Sequence, residues 1–380
     1  PDQRTQTALK NNPGIQAMEA DLMSKQATAH GSGFYPDPQI SAGYFFTPVE
    51  TKTGPQEWKL GLRQMIPGFG KLSSKKQIAM LRADIAFQKL QQAKLNLRYN
   101  VSEEFEKLKL LHVEAGITQD NLRIFRQLEA VVRSKYTTST ASQAQLIQIQ
   151  LEILKLEDQL ESLTFRQLMS SSRLQRLLGT EQVPTLEFTD AALLTDDLPP
   201  IQGSDYLANP QYIISMLNME ISNRQVRLSK LSYVPDFSVG IDYISLGGDA
   251  QENPLMGSLG LSLPVWPGKT RRIRQAADAG FRSAENNVRD TAEQLSTQIE
   301  IAVLRLKDLG RKYKQYVNEM IPLAEQSYNV AETGYLAESL DFPTLLEAER
   351  NLLTLQLSAA RTRHDYSIAQ LEYELLTGKF

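Results

Sequence analysis

From Lys71 to Tyr136 the chain runs without a proline and with one glycine, Gly116. Ile78, Leu81, Ile85, Leu97, Val101, Phe105, Leu108 and Leu111 recur along it at helical spacing. At 1.5 Å per residue a continuous helix here reaches roughly 100 Å. A globular core does not hold such a rod. Lys269–Tyr335 has the same character with one proline, Pro322, where a missing amide hydrogen predicts a kink. Packing against other long helices in coiled-coil fashion is the expected way to bury such stripes, and the plain reading of their apolar residues is core.

The two rods belong to a duplicated plan. Asn12-Pro13 recurs as Asn209-Pro210, Gly61-Leu62 as Gly260-Leu261, and Gly70-Lys71 as Gly268-Lys269. Pro38, Ser41 and Gly43 recur as Pro235, Ser238 and Gly240, Tyr136 as Tyr335, and Gly179 as Gly378, always at an offset between 197 and 199. Such a fixed offset points to an internal two-fold repeat. The first copy is read as 1–180, with a short helix from Asn12, a β-hairpin over 38–66, a long helix over 71–136 and a return helix over 142–178. The second is 209–380, with a hairpin over 235–265, a long helix over 269–335 and a return helix over 343–376. Residues 181–208, rich in Asp and Pro, read as a linker or equatorial segment.

The hairpins carry the functional signal. Ile40, Ala42, Tyr44 and Phe46 alternate with Gln39, Ser41, Gly43 and Phe45. Trp58, Leu60 and Leu62 alternate with Glu57, Lys59, Gly61 and Arg63. The second copy sets Phe237, Val239, Ile241 and Tyr243 against Ser238, Gly240 and Asp242, and Leu259, Leu261 and Leu263 against Ser258, Gly260 and Ser262. Period-2 alternation marks strands with one apolar and one small polar face. Two readings fit. The apolar face packs on a soluble core, or it faces lipid in a membrane β-barrel. In the second case four strands are too few to close a barrel, and hydrocarbon tolerates no open edge, so several chains must share one wall.

Composition narrows the classes. Of 380 residues, Lys and Arg number 41 and Asp and Glu 44, without the basic excess of a nucleic-acid binder. Cysteine is absent, which excludes disulfides, thiolate metal sites and cysteine nucleophiles. His30, His112 and His364 lie far apart, and Met18, Met23, Met216 and Met219 on the short helices read as core filler rather than soft-metal ligands. No metal site and no cofactor are expected. No GxSxG, P-loop, HExxH or dinucleotide fingerprint is present, so the chain reads as a non-enzyme. No segment approaches the apolar length of a transmembrane helix.

Several motifs, in this order and duplicated, resemble the TolC-like outer membrane factor (outer membrane efflux protein) family. They are Ala8-Leu9 before Asn11-Asn12-Pro13, and Tyr35-Pro36-Asp37-Pro38 and Tyr233-Val234-Pro235-Asp236 ahead of the strands. The strand-to-helix corners Gln64–Lys71 and Leu263–Lys269 follow, then Ile321–Glu325 and Tyr335 on the second rod. The pattern looks closest to the cation-efflux branch, the CusC- and CzcC-like proteins. The resemblance implies a homotrimer with a 12-stranded barrel in outer membrane lipid and a long α-helical coiled-coil barrel in the periplasm. It also implies an adaptor protein and an inner-membrane pump as partners, and passive export of cations or small toxic compounds. A soluble or peripheral coiled-coil scaffold is the alternative.

The resemblance also assigns sites. Tyr44, Phe46, Trp58, Leu60, Phe237, Tyr243, Leu259 and Leu261 would face the membrane. Thr138 and Ser139 in the first helical turn, and Ala337 and Glu338 in the second, would contact the adaptor. Both turns depart from the family by lacking the glycine common there, and the family's lipidated N-terminal cysteine is absent. Glu347, in Leu-Glu-Ala, and Asp341 are the candidates for an acidic pore constriction, since three copies of a carboxylate around an axis favour cations. A helix-start acid stabilised by the helix dipole is the plainer reading of each.

Overall fold

The computed structural model of the protein describes residues 3–52, 54–180, 205–247 and 252–379, with side chains from residue 5 onward. Most of the segment read as a linker (181–204) and the centres of the two hairpin loops (53 and 248–251) lie outside the described residues. The helices are α1 (Gln3–Asn11), α2 (Pro13–Gly31), α3 (Lys71–Thr137), α4 (Gln143–Leu178), α5 (Pro210–Lys230), α6 (Pro267–Gln315), α7 (Ile321–Leu336) and α8 (Phe342–Thr377). The strands are β1 (Gln39–Val49), β2 (Gln56–Ile66), β3 (Asp236–Leu246) and β4 (Leu255–Ser262). The chain is therefore mostly helical with a single four-stranded sheet among the described residues, in agreement with the class read from the sequence.

Local chemistry sets the element boundaries. The leading helix begins earlier than its sequence reading, because Asn12 restarts it rather than starts it. Asn12 Oδ1 accepts from the amides of Gly14 (2.9 Å) and Ile15 (3.3 Å), and Pro13 takes the first helical position, where no amide is needed. Ser142 and Gln145 form a reciprocal capping box at the start of α4. Gly179 and Gly378 end α4 and α8 in the left-handed conformation. Around Pro322 the rod does not simply bend: a π-helical turn, Tyr316–Met320, separates α6 from α7. Proline cannot donate to the preceding turn, and the wider π turn is where the ladder absorbs that loss.

Two compact units result. One gathers residues 1–16, 92–209 and 293–380, and the other 17–91 and 210–292. In the first unit, α3 supplies Leu122, Phe125, Leu128 and Val132 to a core shared with Ile149, Ile153 and Leu156 of α4, Tyr335 of α7, and Phe342, Leu345 and Leu346 of α8. The three- and four-residue spacings are those of one apolar stripe per helix. A second cluster joins Ile299, Val303 and Leu306 of α6 to Tyr366, Ala369 and Tyr373 of α8. Buried acids tie helices together: Glu114 meets Arg361 at 2.7 Å, and Glu152 meets both Arg350 and Lys155. Burial works to raise the Glu152 pKa, but its hydrogen bonds to Arg350 and Lys155 outweigh it and hold the carboxyl below its usual range.

The second unit holds the antiparallel sheet, ordered β1-β2-β3-β4. β2 pairs with β3 over Gln56↔Leu246 to Ile66↔Phe237, so the two hairpins form one continuous surface. The corner from β2 into α3 is tight. The Gly68 amide donates to Asp236 Oδ1 (2.7 Å), as does Lys71 Nζ (2.9 Å). A Cβ on Gly68 would sit 2.6 Å from the Pro235 carbonyl oxygen, and Gly70 has φ +84, so both positions require glycine.

Candidate channel wall and helical turns

Strand register decides what the sheet presents. Residues directly opposite in an antiparallel pair point to the same side. Tyr44 faces Trp58, Leu60 faces Tyr243, Ile66 faces Phe237, Phe237 faces Leu261 and Val239 faces Leu259. Together with Phe46, whose ring meets Tyr44 edge-on at 5.5 Å, all eight residues singled out from the sequence lie on one face. No described residue covers its centre: Phe46 is 93% and Leu259 87% exposed, and Ile40, Leu255 and Leu261 are more than half exposed. The reading in which these side chains pack on a soluble core of the same chain is thereby overturned.

The other face is narrow and polar. Ser41, Gly61 and Asp242 stand abreast, as do Arg63, Gly240 and Ser258. Hydroxyl and carboxylate oxygens fill the space above the glycines, so that a Cβ on Gly61 would lie 2.3 Å from Asp242 Oδ1. Asp242 is buried and pairs with Lys59 Nζ at 3.1 Å. No helix among the described residues is long and apolar enough to cross a membrane.

The two helical turns share one geometry. After α3, the amides of Thr140 and Ala141 both reach the Lys135 carbonyl (2.8 and 3.1 Å), and Ser139 between has φ 63. After α7, the amides of Ser339 and Leu340 reach the Gly334 carbonyl (2.8 and 3.1 Å), and Glu338 has φ 61. Each is a Schellman-type stop whose left-handed residue is ordinarily glycine. Thr138, Ser139, Ala337 and Glu338 are all exposed. Lys135 spans the two turns: its Nζ donates to the Tyr335 carbonyl (2.8 Å), lies 4.7 Å above the Tyr335 ring and is 3.7 Å from Glu338. Nothing in the sequence pattern singles out Lys135, because its partners lie 200 positions away.

Asp341 is the N-cap of α8. Its Oδ1 accepts from the Thr344 hydroxyl (2.5 Å) and amide (3.1 Å), and these bonds hold its carboxyl below the usual range. Glu347 is exposed in the second turn of α8. Glu349, two residues on, is fully buried, and neither of its oxygens has a hydrogen-bond partner. Burial, with repulsion from Glu332 added, pushes its pKa up to about 7. The sequence reading passed it over; the signal available was its place among Leu345, Leu346, Ala348 and Leu352 on a buried stripe.

The family model described as outer membrane efflux protein matches residues 5–180. The first half of this chain is thus similar to the outer membrane efflux protein family. A curated relative, the pyoverdine export outer membrane protein OpmQ of Pseudomonas putida, is 22% identical over 301 residues, covering 77% of this chain. The chain spans 64% of that relative's length. Among solved structures, a membrane protein from Pseudomonas aeruginosa superposes with TM-score 0.87 at 15% identity, over 99% of this chain and 92% of its own. CusC gives 0.87 at 14% identity, over 98% of this chain and 91% of its own, and VceC of Vibrio cholerae 0.84 at 16%, over 99% and 95%. These likenesses establish the efflux-protein fold, and they do not set the cation branch apart from the rest. The descriptions of the matching family model and of OpmQ both place those proteins in an outer membrane.

Proposed function

We propose that three copies of this chain join their sheets edge to edge into a 12-stranded outer membrane barrel, continued by a periplasmic helical tunnel. The assembly is a passive exit duct of a tripartite efflux system. One observation carries this reading: a four-stranded sheet whose apolar face is largely exposed and whose outer strands, β1 and β4, have no further strand partner among the described residues. Lipid suits the face, but an open edge is intolerable in hydrocarbon, and pairing β1 of one copy with β4 of the next removes every edge at once. The small polar face then lines water.

The duplicated plan, with copies at 1–180 and 209–380 joined by 181–208, doubles what each subunit contributes. Agreement of the two turns in hydrogen bonding and backbone sign supports it. Thr138, Ser139, Ala337 and Glu338 are the exposed contacts for an adaptor protein, through which an inner-membrane pump supplies the energy. The duct itself performs no catalysis and needs no cofactor. Glu347, exposed on α8, and Asp341 beside it form the acidic constriction, which favours cations or cationic small compounds as cargo. The printed activity of OpmQ, export of pyoverdine, is a case of small-molecule cargo in a relative.

The test is conductance in planar bilayers with detergent-purified protein. Trimers with discrete cation-preferring conductance are expected, and Glu347→Gln lowers the cation preference. Unchanged selectivity in that variant rejects the ring. A folded, monodisperse monomer in detergent-free buffer rejects the duct.

A further inference from the structure

At the corner where strands give way to helices, the charges run against helix physics. The first eight residues of α3 hold Lys71, Lys75 and Lys76, those of α6 hold four basic residues including Lys269, and neither set holds an acid. The N-terminus of a helix carries partial positive charge and favours acids. Cations gathered at two such ends are there for something other than helix stability.

A cleft of 580 Å³ opens at this corner, lined by Lys71, Lys75, Lys269, Ser232, Asp236 and Trp266 among others. Asp236 is neutralised by Lys71 at 2.9 Å, so Lys75 and Lys269 leave the cleft two positive charges in excess. Both are exposed, and Lys75 adds its charge to that of Lys71 beside Asp236. The rim is apolar and open: Leu263 is 59%, Val265 64% and Trp266 72% exposed, directly after the last residue of β4. An aromatic beside lysines at the end of an apolar sheet face is the arrangement of a membrane-water boundary.

We propose that this cleft binds the phosphate of an anionic phospholipid, with Lys75 and Lys269 on the phosphate and Trp266 and Leu263 against the glycerol and first acyl carbons. A lipid fits better than a free anion because the basic floor and the apolar rim are continuous. The inference rests on the outer membrane reading above, which puts the strand-to-helix corner at the periplasmic leaflet. It adds a lipid-specific anchor to a barrel otherwise held by non-specific burial, since basic residues near a bilayer surface select anionic headgroups.

The test is native mass spectrometry of the detergent-purified protein, equilibrated with equimolar phosphatidylglycerol and phosphatidylcholine. The wild type should retain phosphatidylglycerol preferentially. Lys75→Gln/Lys269→Gln should lose that preference by about fivefold per lysine, while Lys25→Gln/Lys312→Gln keeps it. Inorganic phosphate at 10 mM serves as the competing probe and should not displace the lipid. Equal retention of both lipids, or an unchanged preference in Lys75→Gln/Lys269→Gln, overturns the proposal. Displacement by inorganic phosphate overturns the lipid assignment in favour of a soluble-anion site. Outer membrane fractionation of the same variants keeps the two readings apart. Both should fractionate with the outer membrane, and a wild type that does not would end the channel reading instead.

Discussion

The sheet unit and the helical-turn unit treat polarity in opposite ways. In the sheet, large apolar side chains stand exposed on one side, while Asp242 and a row of serines and glycines fill the other. Around the turns, Phe125, Phe342 and Leu345 are buried almost completely, and the acids buried farther along the helices, Glu114 and Glu152, are paired with Arg361 and Arg350. Burying apolar area and leaving polar groups wet is the rule in water. The helical unit obeys it alone. The sheet obeys it only if its surroundings are lipid on one side and water on the other. The difference teaches that one chain is built for two solvents, and that the boundary can be located residue by residue.

The comparison breaks most severely if charge is tolerated on the apolar sheet face. Leu60→Arg/Leu259→Arg, at the middles of β2 and β4, is expected to abolish outer membrane insertion, at about 2–4 kcal/mol per arginine. Gly43→Lys, on the opposite face with open space above it, should insert normally. Membrane fractionation of the two variants reads the outcome, and equal insertion would dissolve the distinction between the faces.

The helical unit is sharpened by Glu349, a buried acid without a hydrogen-bond partner. Its folded pKa, about 7, lies above the ordinary 4.5, so the folded protein holds a proton that the unfolded chain has released. Stability therefore falls as pH rises from about 4.5 to about 7 and is flat beyond, a loss of about 3 kcal/mol at full effect. Glu349→Gln should remove that slope and melt higher than wild type at pH 8, with little difference at pH 4.5. Thermal unfolding in detergent across this range checks it, and parallel wild-type and variant profiles would contradict it.

The smallest expected effect concerns the turns. Ser139→Gly relieves a left-handed non-glycine residue and should stabilise the helical unit by about 1 kcal/mol. Glu338→Gly should yield less, because it also gives up the 3.7 Å approach to Lys135. Thermal midpoints rank the two variants; a destabilised Ser139→Gly would mean that the hydroxyl matters more than the backbone.

Much of this was legible without coordinates, for a reason that varies from element to element. Alternation along β1 to β4 is a property of consecutive residues, so the two faces could be written down from Gln39–Phe46 or Phe237–Tyr243 alone. The side-by-side pairing of β2 with β3 could not, since it joins residues more than 170 positions apart. The missing glycines at the turns were visible as letters, whereas the positive φ that makes them costly was not. Pro322 announced an interruption but not its form as a π-helical turn. Glu347 and Glu349 look alike in the sequence, and only packing separates an exposed acid from a buried one.

What the amino-acid order determined by itself is periodic: which stretches are rods, which are strands, and which side of each strand is apolar, because those patterns arise from backbone geometry within a few residues. Tertiary structure decided which strands become neighbours, whether an apolar face finds cover, and which charges meet. Those outcomes depend on contacts between residues far apart in the chain, whose energies no local pattern records.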